Sequence, residues 1–342
     1  VVTSFVSTLA SNRLIDLATG AKPRGASVQT TLNAKAQKAA SDALGSRKGA
    51  VVALNPSTGA ILAMVTSPTF DPNDLATHQV ADARSAWQKL NGDSANRPMA
   101  NRAVREIFPP GSTFKVIVSA AALDAGYEPD SVLDTSSYRL PGTGTTINTT
   151  CGNSQTLKRS LELSCNSAFA RLGVKLGSDA LREQAEKFGF GTKPLSDITS
   201  VASRFPEEID TPQTGLASIG GFEVAATPLQ MAMVAAAVRN DGVVMQPYLV
   251  ESVRSADLQV LSQTRPSQLS LATSSANAAK LRQMMVGVVQ SGTGWRAQVA
   301  GVTVGGKTGT ANSDNVRTPY AWFIAWADNP DVAICVFVQD AE

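Results

Sequence analysis

The order of the apolar segments is the feature that most limits how this 342-residue chain can fold. Residues 50–54 and 60–65 are apolar runs on either side of a turn with Asn-Pro and Gly, which is typical of a β-hairpin. Three more strand-like runs close the chain, at residues 299–310, 320–327 and 332–339, and helical patterns fill the middle. The pattern predicts an α+β fold: a central antiparallel sheet built from both chain ends and flanked by helices, with a mostly helical middle subdomain.

Local signals place the helices. Asn33 is suited to cap the first helix, and Thr227-Pro228 opens a later one that reaches Arg239. Residues 66–108 are polar and predicted as loop, whereas residues 243–253 are predicted as a single strand. The other helices are predicted from Ser112 to Ala125 and over residues 160–176, 178–188 and 277–291.

The first residues differ in character from the rest. Residues 1–26 are polar and irregular, so we predict a linker or the remnant of an N-terminal accessory module, with residues 27–342 forming one domain. No stretch reaches the roughly 18 apolar residues of a membrane helix, and the start lacks the pattern of a signal peptide. Because the chain begins with Val1 rather than Met, we expect a processed or trimmed fragment.

Composition excludes several classes of function. Thirty Lys and Arg oppose 28 Asp and Glu, and aromatic residues are only 6%, which argues against a nucleic-acid-binding surface. His78 is the single histidine, so a multi-histidine metal site is excluded, and we expect neither a metal nor a cofactor. A serine nucleophile in this chain therefore needs a base other than the usual histidine. The three cysteines, Cys151, Cys165 and Cys335, allow one disulfide with one free thiol, or three thiols.

Ser112 and Lys115 form a candidate pair of nucleophile and base, and an ordinary helix start with a surface lysine is the alternative. The segment Pro-Pro-Gly before Ser112 predicts a tight turn, and Ser112 then lies in the first turn of a helix. Lys115 follows three residues later on the same helix face, where it can take the serine proton. Backbone N–H groups at the start of a helix are also suited to stabilise an oxyanion.

A second candidate is the glycine-rich strand around Lys307. In Gly305-Gly306-Lys307-Thr308-Gly309-Thr310, a lysine and a threonine hydroxyl are adjacent, which suits the binding of a carboxylate. Glycines in a strand allow close approach of another backbone, and the strand can pair with an extended substrate. An ordinary hairpin strand with an exposed lysine is the alternative.

A third element has the pattern Ser-x-Asn. It occurs four times, beginning at Ser94, Ser164, Ser275 and Ser313. Ser313-Asp314-Asn315 lies three residues after Thr310, where we predict the tip of a hairpin. Ser164-Cys165-Asn166 lies in the helical middle, where it can form a second wall opposite Lys307.

These motifs, in this order, resemble the penicillin-binding protein and serine β-lactamase superfamily. Residues 49–72, 97–115 and 219–232 narrow the resemblance to class B penicillin-binding proteins, and within them to the actinobacterial penicillin-binding protein A group. The resemblance implies the transpeptidase fold and a monofunctional D,D-transpeptidase of cell-wall synthesis. Such an enzyme is inhibited by β-lactams and acts on the outer face of the plasma membrane, anchored by a segment that this sequence does not contain.

The resemblance also implies a role for each motif. Ser112 would attack the D-Ala–D-Ala bond of a peptidoglycan stem peptide, and Lys115 would be its base. Ser164 would relay the proton to the leaving amine, and Asn166 would hold Lys115 and the substrate. Lys307, Thr308 and Gly309 would bind the substrate carboxylate, and the backbone N–H groups of Ser112 and Thr310 would form the oxyanion hole. A nearby cation, Lys307, is expected to lower the pKa of Lys115.

The resemblance leaves alternatives open. A D,D-carboxypeptidase would use water instead of the acceptor amine, and a β-lactam sensor domain would acylate without turnover. A class A β-lactamase would need a deacylating glutamate in an E-x-x-L-N segment, which the sequence lacks. Expected partners are stem peptides, β-lactams and other cell-wall synthesis proteins, without nucleic acid. An extracytoplasmic location would allow a Cys151–Cys165 disulfide beside Ser164.

Overall fold

The computed structural model describes residues 25–311 and 319–340. Its strands are β1 (Ser27–Thr30), β2 (Gly49–Leu54), β3 (Ile61–Ser67), β4 (Val132–Asp134), β5 (Tyr138–Arg139), β6 (Thr146–Ile147), β7 (Ser154–Thr156), β8 (Val243–Met245), β9 (Val250–Arg254), β10 (Val260–Gln263), β11 (Gln268–Leu271), β12 (Val304–Ala311), β13 (Tyr320–Asp328) and β14 (Asp331–Val338). Its α-helices are α1 (Ala34–Leu44), α2 (Val80–Gly92), α3 (Arg102–Arg105), α4 (Lys115–Asp124), α5 (Leu157–Glu162), α6 (Asn166–Leu176), α7 (Ser178–Lys187), α8 (Thr211–Ala217), α9 (Pro228–Arg239) and α10 (Ser275–Ser291). Short 3₁₀ helices cover Pro72–Asp74, Gly111–Phe114 and Trp295–Ala297.

The main sheet has five antiparallel strands in the order β12-β13-β14-β2-β3. Strand β14 pairs with β2, with Ala333 opposite Leu54 and Val338 opposite Gly49, so the two ends of the chain meet in the sheet centre. This arrangement confirms the predicted sheet built from both chain ends. On one face lies the buried helix α9, and on the other α1 packs against β2 and β3 through Leu44.

The chain divides into two compact units. Of the described residues, the first unit contains 25–31 and Val250–Arg265, which include the sheet β1-β9-β10. The second comprises Leu32–Leu249 and the residues from Pro266 onward, and it contains the main sheet and the ten α-helices of the described residues. The predicted linker at residues 1–26 lies, up to residue 24, outside the described residues, so its boundary stays a prediction.

Three local predictions were wrong. Helix α2 lies within residues 66–108, predicted as loop; Val80, Ala83, Trp87 and Leu90 recur at helical spacing in it, although none of its residues is buried. Residues 243–253 form two strands in different sheets, because Pro247 between them cannot donate a ladder hydrogen bond. Residues 160–176 form two helices, α5 and α6, which are separated at Ser164.

No helix in the described ranges, 25–311 and 319–340, has both the length and the apolar character to cross a bilayer.

Candidate active site

Ser112 lies on a tight turn that is packed against strand β12. The turn is the 3₁₀ helix Gly111–Phe114, and α4 begins only at Lys115, three residues later than predicted. Gly111 has a φ of 53°, and a Cβ there would lie 2.4 Å from the Thr310 carbonyl oxygen, so only glycine permits this approach. The close packing places Ser112 beside the end of β12.

Lys115 is the centre of the site. Its side chain is fully buried, and its Nζ lies 3.0 Å from Ser112 Oγ. The same Nζ donates to the Ser164 carbonyl oxygen at 2.8 Å and to Asn166 Oδ1 at 2.6 Å, and it lies 3.2 Å from Ser164 Oγ. One amine thus joins the nucleophile turn to the second motif.

Ser164 has a backbone conformation that residues other than glycine rarely adopt. Ser164 has a φ of 59°, in the left-handed region, between the end of α5 and the start of α6. The hydrogen bond from Lys115 to its carbonyl oxygen holds it from one side. From the other, Cys165 is joined to Cys151 by a disulfide, which leaves Cys335 as a buried free thiol. Backbone strain of this kind often occurs at functional sites.

Lys307 approaches Ser164 from the opposite side. Its Nζ lies 2.9 Å from Ser164 Oγ and donates to the Thr308 carbonyl oxygen at 2.8 Å. The Ser164 hydroxyl therefore contacts both lysines. In the same strand Gly309 is buried, Thr308 is half-buried and Thr310 is exposed.

Burial lowers the pKa of both lysines. Both side chains are 0% exposed, and desolvation lowers the pKa of Lys115 well below its usual value. The charge of Lys307 lowers the pKa of Lys115 further, as expected from the sequence, but it is the smaller cause. Desolvation lowers the pKa of Lys307 to about 7. Both amines thus lose a proton far more readily than a lysine in water.

Two of the other Ser-x-Asn segments, those beginning at Ser94 and Ser275, lie away from the site. Asn96 bonds to Asp93 in an exposed turn, and Ser275 is the first residue of α10, whose cap is Ser274. Ser313-Asp314-Asn315 lies outside the described residues, between the ends of β12 and β13. Among described residues, no group of three or more His, Cys, Asp or Glu is arranged to hold a metal ion.

One residue of the site was missed from the sequence. Thr293 lies in the loop after α10, and its Oγ1 is 2.7 Å from Thr308 Oγ1. The only signal was local: Thr293 is a polar residue between Gly292 and Gly294, a pattern common to many surface turns.

The geometry places a serine hydroxyl beside a buried lysine amine on an α+β fold, and the chain belongs to the penicillin-binding protein transpeptidase family. The family model for the penicillin binding protein transpeptidase domain matches residues 49–342. This match also confirms the fold expected from the sequence resemblance.

Among the similar proteins are the penicillin-binding protein A enzymes of mycobacteria. The chain is 45% identical over 351 aligned positions to the peptidoglycan D,D-transpeptidase PbpA of Mycolicibacterium smegmatis, covering 97% of this chain and 71% of that protein. PbpA of Mycobacterium tuberculosis is 43% identical, with the same coverage. The solved imipenem acyl-enzyme of penicillin-binding protein A from M. tuberculosis superposes with a TM-score of 0.91 at 41% identity, covering 97% of this chain and 78% of that one. The penicillin G acyl-enzyme of the same protein superposes with a TM-score of 0.89, covering 96% of this chain and 78% of that one.

Proposed function

We propose that this protein is a peptidoglycan D,D-transpeptidase that cross-links stem peptides through an acyl-enzyme on Ser112. The observation that carries the proposal is the buried Lys115 amine, 3.0 Å from Ser112 Oγ, in a chain of the transpeptidase family. The curated mycobacterial relatives are named for this activity.

Lys115 acts as the base that activates Ser112. A neutral amine has two N–H donors and one lone pair, and two of its neighbours, the Ser164 carbonyl and Asn166 Oδ1, can only accept. Once both donors are used, the lone pair is left for the Ser112 hydroxyl proton. The lowered pKa of Lys115 keeps the amine neutral for this step.

Acylation then proceeds with a balanced proton transfer. Ser112 Oγ bonds to the carbonyl carbon of the penultimate D-Ala while its proton passes to Lys115. The backbone N–H groups of Ser112 and Thr310 stabilise the oxyanion. Ser164 Oγ, 3.2 Å from Lys115 Nζ, relays the proton to the leaving D-Ala nitrogen as the C–N bond breaks. In the second half of the reaction, the acceptor amine attacks the acyl carbon of the Ser112 ester. The new amide bond is the cross-link, and Ser112 Oγ regains its proton as it leaves.

The strand β12 binds the donor. It is an edge of the main sheet, so its backbone is available to pair with an extended peptide. Lys307 supplies charge and Thr308 a hydroxyl for the terminal carboxylate, and Gly309 allows the close approach. β-Lactams carry the same carboxylate and acylate Ser112, as the solved acyl-enzymes of the tuberculosis protein suggest by analogy.

The cellular setting is part of the proposal. Peptidoglycan substrates place the enzyme on the outer face of the plasma membrane, held by an anchor and working with other cell-wall synthesis proteins. This location also favours the Cys151–Cys165 disulfide.

Product analysis tests the activity. The protein is incubated with a donor ending in D-Ala–D-Ala, with and without an amine acceptor, beside Ser112→Ala as control. We expect D-Ala release with formation of the acceptor adduct, and no product from the variant. Hydrolysis that is unchanged by the acceptor would identify a carboxypeptidase instead. Turnover by Ser112→Ala would refute the assigned nucleophile.

A further inference from the structure

Thr293 reaches the proposed carboxylate site from outside the three sequence motifs. Its Oγ1 lies 2.7 Å from Thr308 Oγ1, although the two residues belong to different segments, the loop after α10 and strand β12. Thr293 is exposed, so core packing does not account for its position.

The backbone of Thr293 is held at the second motif. Its N–H donates to the carbonyl oxygen of Glu162 at 3.1 Å, and Glu162 is two residues before Ser164. The next amide, of Gly294, donates to the Val288 carbonyl at 3.0 Å. Thr293 thus links strand β12, through Thr308, to the segment before Ser164, through Glu162.

Glu162 is itself fixed in place. Its side chain is only 6% exposed and pairs with Arg159 Nη1 at 2.7 Å, and the same nitrogen donates to the Ser291 carbonyl at 3.3 Å. Helix α10 makes room for it at Gly287, where a Cβ would lie 2.2 Å from Glu162 Oε1. A buried carboxylate with a charged partner is a rigid anchor, because moving it would leave a charge unpaired. The Thr293 loop therefore rests on a fixed support.

We propose that Thr293 is a positioning residue that directs the Thr308 hydroxyl proton toward the carboxylate of the substrate. A threonine hydroxyl has one proton to donate and lone pairs to accept. A bound carboxylate attracts the Thr308 proton, so Thr308 accepts from Thr293 and donates to the substrate. Without Thr293, the Thr308 hydroxyl can rotate away. This inference rests on the proposed function, in which Thr308 binds the carboxylate.

The test compares two acylating agents that differ only at the carboxylate. Benzylpenicillin and its methyl ester are reacted with wild type, Thr293→Val and Thr293→Ser, and the second-order acylation rate is followed by intact mass. We expect Thr293→Val to slow acylation by benzylpenicillin about tenfold, the value of one hydrogen bond to a charged group. The methyl ester should react at an unchanged rate, and Thr293→Ser should behave as wild type.

Thr308→Val and the double variant complete the cycle. We expect Thr293→Val to have no further effect when Thr308 is already valine, because it acts through that hydroxyl. Equal slowing of both penicillins by Thr293→Val would show a general structural role and overturn the inference. If Thr308→Val slows benzylpenicillin more than the methyl ester but Thr293→Val does not, only the role of Thr293 fails. If Thr308→Val does not discriminate either, the carboxylate assignment in the proposed function fails with it.

Discussion

At the scale of single residues, the site depends on two buried amines that share one hydroxyl. Ser164 Oγ lies 3.2 Å from Lys115 Nζ and 2.9 Å from Lys307 Nζ. The proposed chemistry needs these amines in opposite states, Lys115 neutral as base and Lys307 charged for the carboxylate. Burial lowers the pKa of both amines, and the charge of Lys307 lowers the pKa of Lys115 further, which favours a neutral Lys115 beside a charged Lys307.

The first prediction concerns the pH dependence of acylation. The pKa of Lys307 is about 7, so its positive charge is lost as the pH rises through that value. Acylation by benzylpenicillin should therefore weaken above about pH 7, by up to roughly tenfold per pH unit. Second-order rates from pH 6 to 9 measure this, and the methyl ester serves as the control without a carboxylate. A Lys307→Met variant with the same alkaline decline would contradict the assignment.

The second prediction concerns stability. A lysine whose folded pKa lies below its unfolded value is destabilising, because the unfolded chain binds the proton more tightly. For Lys307 this cost is absent above about pH 10.5, grows as the pH falls toward 7, and is constant below that. The free energy of unfolding of Lys307→Met should therefore increase relative to that of wild type as the pH falls from 10 to 7. The difference should grow by about 1.4 kcal/mol per pH unit. Denaturant unfolding at several pH values measures the difference, and a difference that does not vary with pH would refute the argument.

At the scale of elements, the sequence predicted those segments that carry a local signal. Ser112 lies in the 3₁₀ turn directly before Lys115, and Lys307 lies in a glycine-rich strand, so their chemistry was visible in short motifs. Helix α2 was missed, although Val80, Ala83, Trp87 and Leu90 recur at helical spacing, because the segment around it is mostly polar. Thr293 could not be predicted as part of the site either. Its contact with Thr308 depends on how Glu162 and Gly287 bring the end of α10 to the strand.

The third prediction concerns the Cys151–Cys165 disulfide. It joins two cysteines separated by 14 positions in the sequence, and loss of a link of this size costs about 3 kcal/mol of stability in the chain-entropy model. Because Cys165 lies between Ser164 and Asn166, dithiothreitol should lower both the stability and the acylation rate. Cys151→Ala is the matched control and should show no further change on adding dithiothreitol. Three free thiols in the denatured, unreduced protein would contradict the bridge.

At the scale of the whole molecule, the main sheet explains why motifs far apart in sequence meet. The pairing of β14 with β2 joins the chain ends, and β12 lies at the sheet edge against the Ser112 turn. The helices between these strands supply Ser164 and Asn166 from the other side. In the proposed mechanism, both groups of residues act on the donor peptide.

The measurement that tests the central claim most directly is intact mass after incubation with benzylpenicillin, followed by peptide mapping. We predict one stable adduct per chain, located on the peptide that contains Ser112, and no adduct on Ser112→Ala. Unmodified protein with consumed drug would indicate a β-lactamase, and an adduct on any other residue would contradict Ser112 as the nucleophile.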